Sequence, residues 1–591
     1  MNMNPTKPPR STIIGAALQI AVITALGYSE ISYAQSDSDN RPNVILIITD
    51  DQGFGDVGFH GNDALRTPHL DRLARQSAEF TNFYVQPLCT PTRAALLTGR
   101  YPERTGAVEV NFGRSIIRET ETTIAENLRA SGYRTGIFGK WHLGDNFPVR
   151  PSDKGFDECL HHTAGGVGQA GDPPGNTYFD PILRHNNEPK KYTGYCNDIF
   201  FQEAMKFAEQ YKDEPFFIYL ATNLPHLPLQ VPDKYVEPYR KYGVNEINAK
   251  TYGMIANIDE NVGFLMNRLG ELDLEENTIV IFLSDNGPRT SRQKDDVYPD
   301  RYNAGLRGTK SSIYEGGIRV PFLIRWPNKI EAGIKVPHIA AHIDVLPTLL
   351  DACEAEPIDN QRIIDGRSLM PLATQSTRNW PDRALFFQHN QNHEPLMYSH
   401  FAVRSQRYKL VQPTPNPRDS VLDIGEFDVA SQLGSLELYD IENDPSEIEN
   451  IAKAHPGLVL DMVASYENWF RDVTAELNYW DPQRIYLGSP EENPTLLSRF
   501  DLQTMTRLPY WSARATRAGA YRFTLTFSPA NEACTANIRF GTVQKSMPIS
   551  KGATECVFEA VTLPEGNARL EAWLKYGLKS EAVQFLEVER L

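Results

Sequence analysis

Six cysteines in 591 residues are far too few for a fold held together by disulfides. Positive charge is also short. With 59 Lys and Arg against 75 Asp and Glu, the net charge is −16, which excludes general binding to nucleic acid or to anionic membranes. A polyanionic substrate would have to be drawn by a local basic patch, because the field of the whole molecule repels it. Long apolar runs are missing beyond the N-terminus, and the run from Thr12 to Leu26 is itself short for a spanning helix. No integral membrane segment is therefore expected in the mature chain. Internal repeats and low-complexity tracts are absent too. What remains is ordinary globular composition, 41% hydrophobic and 23% charged, at a length that calls for about two to four domains.

The first residues read as a secretory leader. Lys7 and Arg10 precede the apolar stretch, and Ser32-Tyr33-Ala34 offers small residues at a cleavage position before Gln35. A signal peptide is expected over 1–34, with a periplasmic or secreted product. With Cys89 set aside, Cys159, Cys196, Cys353, Cys534 and Cys556 are odd in number, so at least one stays free. Cys534 and Cys556, in one strand-rich tail, are the best candidates for a disulfide.

Four apolar, largely β-branched or aromatic runs have the character of strands buried on both faces: Asn43 to Thr49, Tyr133 to Phe138, Pro215 to Ala221 and Thr278 to Leu283. Helical periodicity lies between them, over Glu121 to Ser131, Ile199 to Tyr211 and Tyr252 to Leu269. Alternation of this kind predicts an α/β domain with a parallel sheet. Each run ends in polar residues: Asp50-Asp51-Gln52-Gly53, Gly139-Lys140-Trp141-His142, Asn223-Leu224-Pro225-His226 and Ser284-Asp285-Asn286-Gly287. Ligands of open α/β sheets bind at the carboxyl ends of the strands. Paired carboxylates there repel each other unless a cation sits between them, and hard oxygen donors suit Ca²⁺ or Mg²⁺. Each residue also has a plain structural role open to it: the aspartates as turn and cap residues, the histidines as satisfied core groups, the lysines as solvated charges.

Leu88-Cys89-Thr90-Pro91-Thr92-Arg93 opens an apolar helix, with Pro91 in its first turn. Unpaired N–H groups and the positive dipole end would surround Cys89, an arrangement suited to an oxyanion. A buried structural thiol is the other reading of the same residue.

Cys89-x-Pro91-x-Arg93, followed by Ala94-x-Leu96-x-Thr98-Gly99-Arg100, resembles the signature of the type I, formylglycine-dependent sulfatases of the alkaline phosphatase superfamily. The resemblance runs from Asn43 to Pro321 and more weakly from Arg404 to Ala452, with Thr92 where Ser is common. It implies an alkaline-phosphatase-like core and a Cys89 oxidised to formylglycine by a formylglycine-generating enzyme. It also implies one divalent cation, usually Ca²⁺ and less expectedly Mg²⁺, held by Asp50, Asp51, Cys89, Asp285 and Asn286. Arg93 would steady that residue, Lys140 and Lys310 would neutralise sulfuryl oxygens, His226 or Lys310 would protonate the leaving alcohol, and His142 would act as base. The implied substrate is a sulfated polysaccharide or its oligosaccharides, of algal type (ulvan, carrageenan, fucan) or a glycosaminoglycan. His161, His162, His185 and Arg307 are candidate sugar contacts. Two other readings stand beside this one: a phosphate or phosphonate ester hydrolase of the same superfamily, and a Ca²⁺-dependent glycan-binding protein with an unmatured site.

The expected organisation is a catalytic domain over 41–375, an antiparallel sheet with a covering helix over 376–480, and an all-β, sandwich-like domain over 481–591. Within the first, Cys159 to Tyr195 is rich in Gly, Pro and His and is expected to be an irregular functional loop.

Overall fold

A computed structural model describes residues 41–110, 113, 115–289, 301–359, 362–377, 379–390, 394–413, 435–503 and 508–591. The leader expected at 1–34 lies outside the described residues. Among those described, no helix is long and apolar enough to cross a membrane.

Asn43–Thr49 is the middle of a ten-stranded sheet. It runs parallel to Phe216–Ala221 on one side and to Thr278–Ser284 on the other. Arg134–Lys140 and Glu158–His162 continue the parallel set beyond Phe216–Ala221, while Phe322–Arg325 adds antiparallel to Thr278–Ser284. Every residue of Asn43–Thr49 is buried, because successive side chains enter opposite layers. Val44, Leu46 and Ile48 pack with the helices Cys89–Thr98, Ile124–Ala130 and Val345–Ala352. Ile45 and Ile47 pack with Cys196–Gln210 and Glu246–Glu271 on the other face. A strand covered on both sides has no polar position to spare, so its chemistry is displaced to its end.

The Cys159 to Tyr195 segment is more regular than expected. Glu158–His162 is a parallel strand, and Ile182–His185 and Glu188–Lys191 form a hairpin that extends the sheet. Asn186 and Asn187, at φ of 50° and 73°, supply the two left-handed residues of the tight turn. Pro189 and the exposed lysines of Glu188–Lys191 blunt the sheet edge. Strands of four residues without alternation leave almost no periodic signal.

A second sheet is a four-stranded antiparallel meander, Leu385–Gln388, Phe401–Arg404, Tyr408–Gln412 and Glu437–Asp440. The helix Pro456–Thr474 covers it with Val459, Met462, Tyr466 and Phe470. From residue 485 onward, a six-stranded and a four-stranded sheet enclose Trp511, Tyr521, Phe523, Leu525 and Leu586 between them.

The expected Cys534–Cys556 bridge is not formed, and all six cysteines are free thiols. Cys534 pairs with Ile549 in the larger sheet and Cys556 with Leu525 in the smaller one. The two thiols lie near enough for Cys534 to help raise the Cys556 thiol, behind burial, without being joined.

Candidate active site

Thr49 and Ser284 are register partners, so the turns that follow them place Asp50 and Asp51 beside Asp285 and Asn286. Asp51 sits at φ 66°, a left-handed conformation that costs a non-glycine residue about 1–3 kcal/mol. Its surroundings compensate. Its N–H donates to Asp285 Oδ1 at 3.1 Å, and Arg301 Nη2 donates to its carbonyl at 3.1 Å while pairing with Asp56.

Three cations, Lys140 and Arg93 buried and Lys310 partly so, are distributed over these acids. Lys140 Nζ donates to Asp50 Oδ2 at 2.7 Å, with both side chains fully buried. Arg93 donates Nε and Nη2 to Asp285 Oδ2 at 3.1 and 2.7 Å, and Nη1 to the Lys140 carbonyl at 3.3 Å. Lys310 Nζ pairs with Asp51 Oδ1, which also accepts from Asn286 Nδ2 at 2.8 Å. Burial would raise the Asp51 carboxyl, but Lys310, His226 and the Asn286 amide outweigh it and hold the group well below the usual range. Asp285 goes the other way, pushed up to about 6 by burial and by the Asp50 charge.

Asp50 Oδ1, Asp51 Oδ2 and Asn286 Oδ1 are buried and have no hydrogen-bond partner. Leaving a buried acceptor unsatisfied costs about 1–3 kcal/mol each, so three together at the strand ends are a strong signal. Ligand atoms of Asp50, Cys89 and Asp285 lie within 4.8 Å of one another, as do those of Asp50, Asp51 and His226. A set of unpaired carboxylate and amide oxygens fits a hard divalent cation of the Ca²⁺ or Mg²⁺ kind.

Cys89 is the first residue of the helix Cys89–Thr98 and is almost fully buried. Burial pushes its thiol up, even with Lys140 and Lys310 nearby, so a plain thiolate is disfavoured there. Thr90 Oγ1 donates to the His142 carbonyl at 3.3 Å and ties the helix start to the Lys140-Trp141-His142 turn. His142 is itself at φ 60°. Both of its ring nitrogens are buried and unpartnered, and burial, then Lys140 and Arg93, drive its pKa well below the usual value. It is neutral, with a lone pair available to take a proton. His226 holds Nδ1 against the Leu227 carbonyl at 2.8 Å and turns Nε2 toward Asp51 Oδ2 at 3.9 Å. Burial pushes its pKa down to about 3, partly opposed by Asp51.

The structure thus brings Asp50, Asp51, Cys89, Arg93, Lys140, His142, His226, Asp285, Asn286 and Lys310 together. The four residues expected to contact sugar behave differently. His161 and His162 are buried in the strand Glu158–His162 and present no accessible face; only His162 is a register partner of Lys140. His185 is committed to Glu158 at 2.5 Å and Tyr192 at 2.7 Å, holding the edge hairpin. Arg307 donates to Tyr439 Oη at 2.8 Å and to the Glu447 carbonyl at 3.1 Å, and covers the Tyr314 ring, so it pins the antiparallel sheet to the core. The partners of His185 and Arg307 are distant in sequence, and local sequence carries no trace of them.

Three residues at the site escaped the sequence reading. Arg301 fixes the Asp51 turn. Gln169, in the Gly-rich loop, donates Nε2 to the Leu227 carbonyl at 3.2 Å and lies 3.3 Å from His226 Nδ1. Phe500, from the C-terminal domain, places its ring 5.3 Å from that of His142. The glycine pattern around Gln169 marked its loop as functional; nothing in the sequence marked Phe500.

The model of the family described as Sulfatase matches residues 42–355. A second, described as N-sulphoglucosamine sulphohydrolase, C-terminal, matches residues 309–459. The chain is 30% identical over 512 residues to an N-acetylgalactosamine-6-O-sulfatase of Bacteroides thetaiotaomicron, covering 75% of this chain and 96% of that one. It is 34% identical over 439 residues to arylsulfatase A of Homo sapiens, covering 69% and 83%. Among solved structures, Ps i-CgsB in complex with k-i-k-neocarrahexaose is similar at a TM-score of 0.63 and 30% identity, covering 74% of this chain and 94% of that one. With its α/β core of the alkaline-phosphatase type, the chain belongs to the sulfatase family and is a sulfuric ester hydrolase.

Proposed function

We propose that this protein removes sulfate from a sulfated carbohydrate, using Cys89 matured to formylglycine and one divalent cation, Ca²⁺ in preference to Mg²⁺, held by Asp50, Asp51, Asp285 and Asn286. The observation that carries the reading is the trio of unsatisfied oxygens, Asp50 Oδ1, Asp51 Oδ2 and Asn286 Oδ1, in a site that also holds Cys89, Arg93, Lys140 and Lys310. When present, the cation polarises a sulfuryl oxygen and the hydrated aldehyde supplies an oxygen nucleophile at neutral pH.

The chain's own residues do the rest. Lys140 and Lys310 offset the charge of the sulfate ester, which otherwise repels any nucleophile. The first-turn amides of the Cys89 helix add partial positive charge where the sulfuryl oxygens gather. Arg93 holds Asp285 and the Lys140 carbonyl in place. Neutral His142 accepts a proton from residue 89, and His226 or Lys310 delivers one to the departing sugar oxygen.

The relatives' names support a carbohydrate: one is an N-acetylgalactosamine-6-O-sulfatase and one solved structure holds a neocarrahexaose. We infer an algal galactan of the carrageenan kind, with glycosaminoglycans second. The leader reading adds a periplasmic or secreted location, where such polymers are met, and maturation requires a formylglycine-generating enzyme. The test is release of free sulfate from a panel of sulfated polysaccharides and oligosaccharides by matured protein, with Cys89→Ser as control. Sulfate from one glycan class, absent in the control, is expected. No release from any glycan by protein whose Cys89 is shown by mass to be the aldehyde would overturn the carbohydrate assignment.

A further inference from the structure

Both family matches end by residue 459, yet the C-terminal sandwich reaches the catalytic cluster. It is fastened to the chain just beyond His142. Asn146 Nδ2 donates to the Leu496 carbonyl at 2.9 Å, the Phe147 N–H to Glu492 Oε2 at 2.9 Å, and Arg150 Nη1 to the Glu491 carbonyl at 3.0 Å. These bonds hold the short helical turn Arg499–Asp501 against the site.

The turn itself is rigid. Fully buried Trp511 donates Nε1 to the Ser498 carbonyl at 2.7 Å, and Ser498 Oγ accepts from the Phe500 N–H at 3.1 Å. On the far side, Gln503 Nε2 donates to the Gly113 carbonyl at 3.2 Å. Gly171, which closes the loop carrying Gln169, packs so tightly here that a Cβ on it would stand 3.1 Å from Phe500 Cβ. Phe500 therefore has a fixed backbone, a ring against His142 and partial exposure. A half-exposed aromatic ring held rigidly beside a reactive cluster makes a poor core residue and a good platform. A pyranose ring presents a face of C–H groups that such a platform can cover, with little ordering cost because the ring is already fixed. Arg499, exposed and with no ion-pair partner among the described residues, precedes it in the turn and supplies the local positive charge that an acidic protein needs for an anionic glycan.

We propose that Phe500 is a specificity-determining residue: it stacks on a sugar ring of the substrate, so that the C-terminal sandwich forms one wall of the catalytic cleft and is not a separate module. The proposal rests on the carbohydrate reading above. Phe500→Leu keeps an apolar contact for His142 and removes the aromatic face, whereas Phe500→Trp keeps both.

The test uses full-length matured protein and two substrates, the sulfated oligosaccharide that releases sulfate and 4-nitrophenyl sulfate. Phe500→Leu is expected to lower the ratio of kcat/KM on oligosaccharide to kcat/KM on the aryl ester about tenfold, and Phe500→Trp to restore it. A parallel loss on both substrates, or an unchanged ratio, would show that Phe500 only supports His142 and would overturn the proposal. Binding read by calorimetry in a Cys89→Ala background needs no turnover. There, Phe500→Leu is expected to weaken the oligosaccharide about tenfold. Phe500-dependent binding without sulfate release by the matured protein would sink the sulfatase reading and leave this one standing. Binding indifferent to Phe500, or none, would sink this one.

Discussion

Arg93 places two nitrogens on a single oxygen of Asp285, at 3.1 and 2.7 Å, and neither side chain reaches solvent. The other Asp285 oxygen takes the Asp51 N–H, so one carboxylate locks the Cys89 helix to the strained Asp51 turn. Removing one partner of a buried ion pair costs about 3–5 kcal/mol, because the other charge is stranded. Arg93→Ala is expected to lower the unfolding free energy, measured by urea titration, by that order and to abolish sulfate release. Arg93→Lys, which cannot reproduce the fork, should fold better and remain at least about a hundredfold slower. Wild-type rates in Arg93→Lys would mean that the fork has no catalytic consequence.

The unpaired oxygens of Asp50, Asp51 and Asn286 predict a thermal response to metal. Ca²⁺ at about a hundred times its Kd should stabilise the fold by about 2.7 kcal/mol, read as a rise in Tm over chelator-treated protein. Asn286→Ala and Asp51→Ala should shrink that rise. A Tm indifferent to Ca²⁺ and Mg²⁺ would contradict the metal assignment.

A pH dependence follows from the junction between the C-terminal strand-rich region and the core. Burial and the Asp145 charge push the Asp501 carboxyl up to about 8, and burial pushes Asp145 up to about 6. An acid whose pKa is raised by folding binds its proton longer in the native state than in the unfolded one. The contribution of this pair to stability is therefore greatest below the ordinary carboxylate range and declines as pH rises from about 4 through 8. Asp501→Asn should flatten that decline, measured as urea midpoints at intervals across the range. An equally steep decline in the variant would place the sensitivity elsewhere.

Gly287 follows Asn286 where the chain passes Gly316 at very close range: a Cβ would stand 2.0 Å from the Gly316 carbonyl oxygen. Its N–H donates to the Gly317 carbonyl at 2.9 Å, so the turn cannot swing away without losing that bond. Gly287→Ala is expected to cost about 1–3 kcal/mol through backbone displacement and to lower Ca²⁺ affinity by moving Asn286. A chemical melt together with a calcium titration of the variant tests both.

The sheet and most of the reactive cluster could be read from the chain because a strand buried on both faces must push its polar residues to its ends. Asp50, Lys140, His226 and Asp285 all obey that rule. Where a residue's surroundings depend on what folds against it, the sequence did not foretell them. Arg307 is captured by Tyr439 and Glu447, more than a hundred positions away, and His185 by Glu158 across a strand pair. Phe500 enters through a domain whose own alternation says only that it is a sandwich. The Asn186-Asn187 hairpin was hidden by its brevity.

In the proposed mechanism residue 89 works only after oxidation. Protein made with graded amounts of a formylglycine-generating enzyme will carry graded fractions of aldehyde at Cys89, measurable by peptide mass. Sulfate released per mole of total protein should rise in direct proportion to that fraction and extrapolate to zero when it is zero. A rate independent of the aldehyde fraction, or retained by Cys89→Ser, would contradict the account.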